Sequence, residues 1–413
     1  MNDEQLSFLA EQSYWVEKGR DDTPYVPKKN EIYYYNPDNP ELGQFKVLEI
    51  HDNKDSNGMQ SMAVSPIKDG KVDTSNVVIA YAGTNFDDRL DRNTDLSTIG
   101  GGNDWINTNG WWESPNKVPS QTVSAKDFAI KIKNEYPNST ITTTGHSLGE
   151  FLAMYIAAEN KWKNVGFNGP DAYGILSKGA KEWIKKNPGW LTNYRNRGDG
   201  IGNLMGNGTG AEVLISLNMG FKPDPLLFHN LSTWKFENGN LIIPKNDYNK
   251  TAHRQMAERE LRNQFILSLA SLSLLEKKFK ASGGGISKNE RIYLDDSQAL
   301  AVVQLLSSEF DLVMTNTIKI YKDGIRELEE LWETIKSKAF NDTSELSYQE
   351  VMDALESVGC NKNSMVTIPS EEFQKKIEKA NKMGDKLKKL ALEIKSTIAD
   401  MVQKDEELSR QFN

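Results

Sequence analysis

Two periods of hydrophobic spacing divide this chain. Up to about residue 245, short apolar or β-branched runs alternate with segments of helical spacing. The runs FKVLEIH (45–51), MQSMAVSPI (59–67), NVVIAYAGT (76–84) and STITTTG (139–145) are bounded by Gly, Pro, Asn or Asp, and such runs predict strands. Between the last two lies SQTVSAKDFAIKIKNEY (120–136), a predicted helix with Val123, Phe128, Ile130 and Ile132 near one face. EFLAMYIAAENKW (150–162) predicts another helix, and NVGFNGP, LTNYRNRGD and LSTWKFENGNLIIP continue the strand series. Strand, helix, strand in this order predicts an α/β layer fold with a largely parallel sheet.

Beyond about Thr251 the Gly and Pro punctuation thins and a repeat near 3.5 residues takes over. One seam runs Val303, Leu306, Phe310, Val313, Thr317, Ile320, Gly324, Leu331, Ile335; a second runs Phe373, Ile377, Ala380, Gly384, Leu387, Ala391, Ile394, Ile398. Both read as long coiled-coil-like helices. A further helix from Arg254 to about Lys280 carries Leu261, Phe265, Leu272 and Phe279 and is broken by SGGG at 282–285. Ser347 and Glu350 form a capping box for a short helix, and Ser370 is the candidate N-cap of the last one. The boundary between the halves falls near 245–252, giving domains of 1–248 and 249–413. The second half is either a bundle closed on itself or a seam open to a partner helix; heptads alone do not choose.

The 413 residues carry a formal charge of -8, with 38% apolar and 26% charged residues. This is the composition of a globular chain with a real core, and its acidity argues against nucleic acid, which requires a basic stripe. The single cysteine, Cys360, allows no intrachain disulfide and reads as inert. The N-terminal MNDEQLSFLAEQSYW has no basic segment, long apolar core or small-residue cleavage site, so any export is expected without a cleaved leader. No apolar run reaches the roughly 18 residues of a membrane span.

The candidate chemistry centres on GHSLG (145–149), set between the predicted strand NSTITTT and the predicted helix. A serine on a tight strand-to-helix turn is held with Oγ at the top of the sheet, with small neighbours, here Gly145 and Gly149, and the N–H of Leu148 aimed at a reacting carbonyl. The serine needs a base, and only four histidines exist. His146 sits inside the elbow and is expected to point away from Oγ, His51 precedes the nucleophile in an early strand, and His253 begins the helical half. His229, on a predicted loop after the last acid-bearing strand, is the candidate base. Two acids compete: Asp199 follows a strand at a Gly-Asp-Gly turn, where catalytic groups of α/β sheets gather, and Asp171 sits in a Gly-Pro-Asp turn. Placement favours Asp199. Glu150, beside the nucleophile, would oppose an oxyanion unless its side chain turns away. The run DDRLDRNTD, with Asp87, Asp88, Asp91 and Asp95, lacks the spacing of an EF-hand and reads as a solvated loop rather than a calcium site. No cofactor is expected. Trp105, Trp111 and Trp112 lie in a Gly/Asn-rich stretch that suits either a lid touching acyl chains or a core-packing loop.

These segments resemble the class 3 lipase family of α/β-hydrolases. VVIAYAGTN resembles that family's strand ending in Gly-Thr, which implies that Thr84 supplies the second oxyanion donor beside Leu148; the family usually has Arg where this chain has Ala82. NTDL (93–96) and GFNGPDAYG are similar to further family segments, YRNRGDGIGNL to the segment bearing the acid, Asp199, and LLFHNLSTWKF to the loop bearing the base, His229. Glu150 departs from the family's usual Gly. A lipase half followed by a long helical half resembles the type VII-secreted lipase toxins of Gram-positive bacteria, with an LXG-like targeting domain in reversed position. That resemblance implies a leaderless, secreted antibacterial phospholipase A, small helical WXG100-like partner proteins on the C-terminal seam, an immunity protein, and only peripheral membrane contact with a lipid substrate. The competing expectation is a catalytically inactive hydrolase-like scaffold, which Glu150 and the absent Arg would favour.

Overall fold

A computed structural model describes residues 1–19, 22–54, 56–83, 105–107, 117–219, 227–281, 286–342 and 346–411. The chain divides into two compact units, Met1–Gln255 and Met256–Asn413, with the division inside the helix Lys250–Ala281.

The first unit is an α/β-hydrolase-type fold built on one mixed sheet. Its strands are β1 (Ile32–Tyr34), β2 (Gln44–Asp52), β3 (Gln60–Lys68), β4 (Lys71–Val72) and β5 (Asn76–Tyr81), then β6 (Trp105–Asn107) and β7 (Lys117–Pro119) as a separate pair, then β8 (Thr140–Gly145), β9 (Lys163–Phe167), β10 (Leu191–Asn196) and β11 (Glu212–Ile215). The order across the sheet is β1-β2-β3-β5-β8-β9-β10-β11, with β4 paired to β3. From β5 to β11 the strands are parallel; β1, β2, β3 and β5 pair antiparallel. The sheet is therefore less uniformly parallel than the sequence order predicts. The links β2–β3 and β3–β5 contain no helix, and a parallel crossover needs a dozen or more residues. Asp69 and Gly70, both at positive φ (50° and 71°), turn β3 into β4.

The helix Leu148–Asn160 is buried along its length from Leu148 to Ala158 and forms the centre of the core with Ile79, Tyr81 and Phe128. The helix Gln121–Glu135 buries Ala125, Phe128, Ala129 and Ile132, while Ile130 is 54% exposed. At about 100° per residue, Ile130 stands roughly opposite Phe128, so the expected face is corrected at that position. On the other face of the sheet lies a helix the sequence reading did not assign, Asp3–Gln12, closed by a capping box between Asn2 and Gln5 and burying Leu6, Leu9 and Ala10. Thr144 Oγ1 donates to the Leu6 carbonyl (3.2 Å), tying this helix to β8 just before the elbow. LSTWKFENGNLIIP does not join the main sheet. It forms a 3-10 turn and a small hairpin, β12 (Phe236–Glu237) and β13 (Asn240–Leu241), reversed at Asn238-Gly239 with positive φ at both. The unpredicted β11 holds the sheet edge instead.

In the second unit the helices Lys288–Asp342 and Ile368–Gln411 pack antiparallel: Phe373 fills the space at Gly324 and pairs with Tyr321 (ring centroids 5.5 Å apart), Met314 faces Gly384, and Lys388 reaches Asp311 at 3.2 Å. Ile377, Ala380 and Ile398 of the second predicted seam are buried. In the first seam Gly324 meets the facing helix as expected, but Leu306, Val313, Ile320 and Leu331 are exposed, because the contact ridge runs through Met314, Tyr321 and Gly324. Ser347–Glu350 caps the helix Tyr348–Ser357 in both directions as expected. Ser370 is no cap: the last helix begins at Ile368, running on from a π-turn at Asn363–Thr367, with Pro369 accommodated in the first turn. Among the described residues no helix is long and apolar enough to cross a membrane.

Candidate active site

At the elbow the backbone is forced. Ser147 has φ 58° and ψ −129°, a conformation costly for a residue with a Cβ, held because its neighbours leave no other path. Its N–H donates to the Phe167 carbonyl of β9 (3.1 Å), and His146 bridges to Phe167. The glycines serve close approach. A Cβ on Gly145 would lie 2.3 Å from the backbone of Gly149, and one on Gly149 would lie 2.2 Å from the Tyr81 carbonyl oxygen. Strand end and helix start are thus pressed together, and Ser147 projects from the turn. Leu148 is the first residue of the helix, so its N–H has no intrahelical acceptor and is available to an anion at the positive end of the helix dipole.

Ser147, His229 and Asp199 come from three separated segments and meet in one buried line. His229 Nε2 is 2.8 Å from Ser147 Oγ, and His229 Nδ1 is 2.8 Å from Asp199 Oδ2. Asp199 is fixed on its other oxygen by the Ile201 N–H (2.8 Å). Asp171, the competing acid, lies elsewhere: it accepts from the N–H groups of Tyr173 (2.8 Å) and Thr209 (3.1 Å) and from the Thr209 hydroxyl, which makes it a loop clamp.

The remaining histidines separate cleanly. His146 is buried with its ring beside that of His229 (centroids 4.7 Å apart), but neither of its nitrogens bonds Ser147. Burial, reinforced by the neighbouring His229, lowers its pKa to about 3, so it is neutral at ordinary pH. His51, on β2, packs its ring against Phe128 of the helix Gln121–Glu135, and His253 sits on the helix Lys250–Ala281.

Glu150 turns away from the nucleophile, as expected. Its carboxyl is wholly buried, accepting from Asn164 Nδ2 (3.1 Å). The side chain fills the space left by two glycines: a Cβ on Gly166 or on Gly169 would overlap it at 1.5 Å and 2.5 Å. Burial raises its pKa well above the usual carboxylate value, against weaker lowering by Asn164 and Arg195, which favours the uncharged form.

Thr84, the acidic run Asp87, Asp88, Asp91 and Asp95, and Trp111 and Trp112 lie outside the described residues, and of Trp105 only the backbone, in β6, is described. Two residues the sequence reading passed over stand at the site. Tyr14, in a 3-10 turn after the N-terminal helix, places its hydroxyl 2.9 Å from His146 Nδ1. Asn168, at φ 52° just past β9, donates through Nδ2 to the His229 carbonyl (2.9 Å). The Asn-Gly-Pro sequence signals a turn there, and an Asn in the left-handed region is its one visible mark; nothing marks Tyr14.

No family model matches the chain, and no curated protein matches it by sequence. Among solved structures it is similar to a mutant form of MDLA from Penicillium cyclopium (14% identity, 59% of this chain and 85% of that one, TM-score 0.33). It is likewise similar to a fungal lipase (15%, 61% and 88%, TM-score 0.34) and to the Rhizomucor miehei lipase–propeptide complex (11%, 52% and 67%, TM-score 0.29).

Proposed function

We propose that the first unit hydrolyses acyl esters of lipids, as a lipase or phospholipase A, with Ser147 as nucleophile, His229 as general base and acid, and Asp199 as the group that orients the imidazole. The observation that carries this is the continuous pair of 2.8 Å contacts from Oγ through the imidazole to the carboxylate, at a strained elbow. Oγ attacks the ester carbonyl as its proton passes to His229 Nε2, and Asp199 balances the imidazolium through Nδ1–H. The tetrahedral oxyanion takes the Leu148 N–H, with Thr84 as the proposed second donor. Collapse expels the alcohol, which leaves with the proton from Nε2. Water then attacks the acyl-serine by the same route in reverse, releasing the fatty acid and restoring Oγ–H. The lipid class of substrate rests on the motif resemblance. Glu150 is buried against Asn164 and turned from the nucleophile, which weakens the main ground for an inactive scaffold. Incubation with mixed neutral lipids and phospholipids, with products identified by mass, tests the reading. Free fatty acid from the native chain and none from Ser147→Ala is the expected result, and no acyl product from any lipid counts against it.

The secreted, antibacterial role and the export-partner role of residues 249–413 rest on the same kind of resemblance. In this reading the exposed stripe Leu306, Val313 and Ile320, spaced by seven, receives the small helical WXG100-like partner, and an immunity protein blocks the first unit. Co-expression with such partners followed by size-exclusion chromatography tests it; a complex that persists when these three positions become Asp removes that surface.

A further inference from the structure

His229 stands in a short 3-10 turn, Leu227–His229, outside the main sheet, so no strand pairing fixes the base. What fixes it is its own carbonyl oxygen. Two side chains converge there: His146 Nε2 at 2.7 Å and Asn168 Nδ2 at 2.9 Å. A carbonyl only accepts, so His146 carries its proton on Nε2, and Nδ1 is left as the acceptor that the Tyr14 hydroxyl meets at 2.9 Å. The same hydroxyl lies 3.3 Å from the His146 carbonyl. Asn168 works in two directions as well, its Oδ1 accepting from the Asn196 N–H (3.0 Å), three residues before Asp199. Beside it the Phe228 ring occupies the space of the missing side chain at Gly198.

From this convergence we infer that Tyr14 and Asn168 are positioning residues for the base: Tyr14, through His146, and Asn168 directly grip the His229 carbonyl and so hold the imidazole between Ser147 and Asp199. The inference rests on His229 being the base. One clamp joins the residue preceding the nucleophile, the residue following β9, the strand leading to the acid, and an N-terminal turn remote in sequence from all three. Tyr14 reaches the nucleophile's own wall: a Cβ added at Gly83 would be 2.3 Å from its hydroxyl and 3.0 Å from Ser147 Cβ. The energetic logic is that of an interior donor–acceptor set, in which each missing partner leaves the rest mobile or unsatisfied. A base displaced by a fraction of an ångström loses rate without losing substrate affinity.

The test uses the full chain with Tyr14→Phe, which keeps the ring and removes only the hydroxyl, and Asn168→Asp, which keeps the acceptor for Asn196 and sets an oxygen against the His229 carbonyl. Each is expected to lower kcat on a soluble short-chain ester by about tenfold or more, with KM within about twofold. Tyr14→Phe should add little in a His146→Gln background, since it acts through that ring. The low-field proton resonance of His229 Nδ1–H, assigned by its loss in Asp199→Asn, should broaden or shift in both variants, and in Tyr14→Phe, which buries no new charge, the melting temperature should stay close to the native one. This resonance needs no turnover, so it reads the clamp even if the native chain hydrolyses no ester, which would defeat the catalytic reading by itself. Unchanged kcat together with an unchanged resonance in both variants, or full additivity of Tyr14→Phe with His146→Gln, overturns the inference.

Discussion

Asp199 Oδ2 lies 2.8 Å from His229 Nδ1, while Asp171 spends Oδ1 on the Tyr173 N–H of its own turn and Oδ2 on the N–H and hydroxyl of Thr209. The two acids therefore fail differently. Asp199→Asn puts an amide against Nδ1 and disfavours the tautomer that leaves Nε2 free to accept from Ser147, so kcat should fall by about 10⁴-fold, as expected for this type of substitution. Asp171→Asn should lower the melting temperature and leave kcat within a few-fold. Paired kinetics and thermal melts of the two variants check this, and the reverse ranking would reassign the acid.

Glu150 gives a pH-dependent stability prediction. Its folded pKa is raised above the ordinary 4.5. The folded chain then holds a proton that the unfolded chain releases as pH rises past 4.5, so the group's contribution is full below that pH and is lost as pH climbs toward the folded value. Glu150→Gln removes this loss and nearly keeps the shape. Its stability relative to the native chain should rise as pH climbs above 4.5 in urea titrations. A difference independent of pH would show that the carboxyl is charged in the fold.

His146 predicts the opposite slope. Its folded pKa of about 3 lies below the ordinary 6.5, so the unfolded chain takes up a proton the folded one refuses. Stability is therefore lost as pH falls from 6.5 toward 3. Replacing His146 by Asn should flatten the acid limb of the stability profile across that window. Equal limbs in the two proteins would contradict the assignment of a neutral buried ring.

Gly149 tests the elbow's packing. A Cβ there would meet the Tyr81 carbonyl at 2.2 Å, and backbone cannot swing aside as a side chain can. Gly149→Ala should cost about 1–3 kcal/mol or more of stability, and the shift of the Tyr81–Gly83 strand end should depress hydrolysis. Gly174→Ala, with open space around it, is the control and should change neither.

Much of the site could be read from residue order because its parts carry local marks. The elbow announces itself by Gly145-His146-Ser147-Leu148-Gly149 between a β-branched run and an apolar helix, and Asp199 by a glycine-flanked turn after Leu191–Asn196. Glu150 was readable only as a departure. Its burial depends on Gly166 and Gly169 clearing a pocket for it, and no local pattern encodes that. Tyr14 and Asn168 are invisible for the same reason: their partner is a main-chain carbonyl more than 60 residues away in one case and a ring 132 residues away in the other. The antiparallel half of the sheet follows from short links, which the strand count alone obscures. In the helical half the seam of Ile368–Gln411 was legible, and the facing ridge only in part: Gly324, which admits Phe373, was in the predicted row, but Met314 and Tyr321 beside it were not, because several apolar rows run along Lys288–Asp342.

The central claim is that His229, held by Asp199, makes the Ser147 hydroxyl nucleophilic. Labelling by a fluorophosphonate probe measures this most directly, since only an activated serine reacts and no choice of lipid enters. The account predicts stoichiometric labelling of the native chain at Ser147, none in Ser147→Ala, and labelling slowed by orders of magnitude in His229→Ala. A native chain that resists the probe, or one labelled as fast without His229, would contradict it.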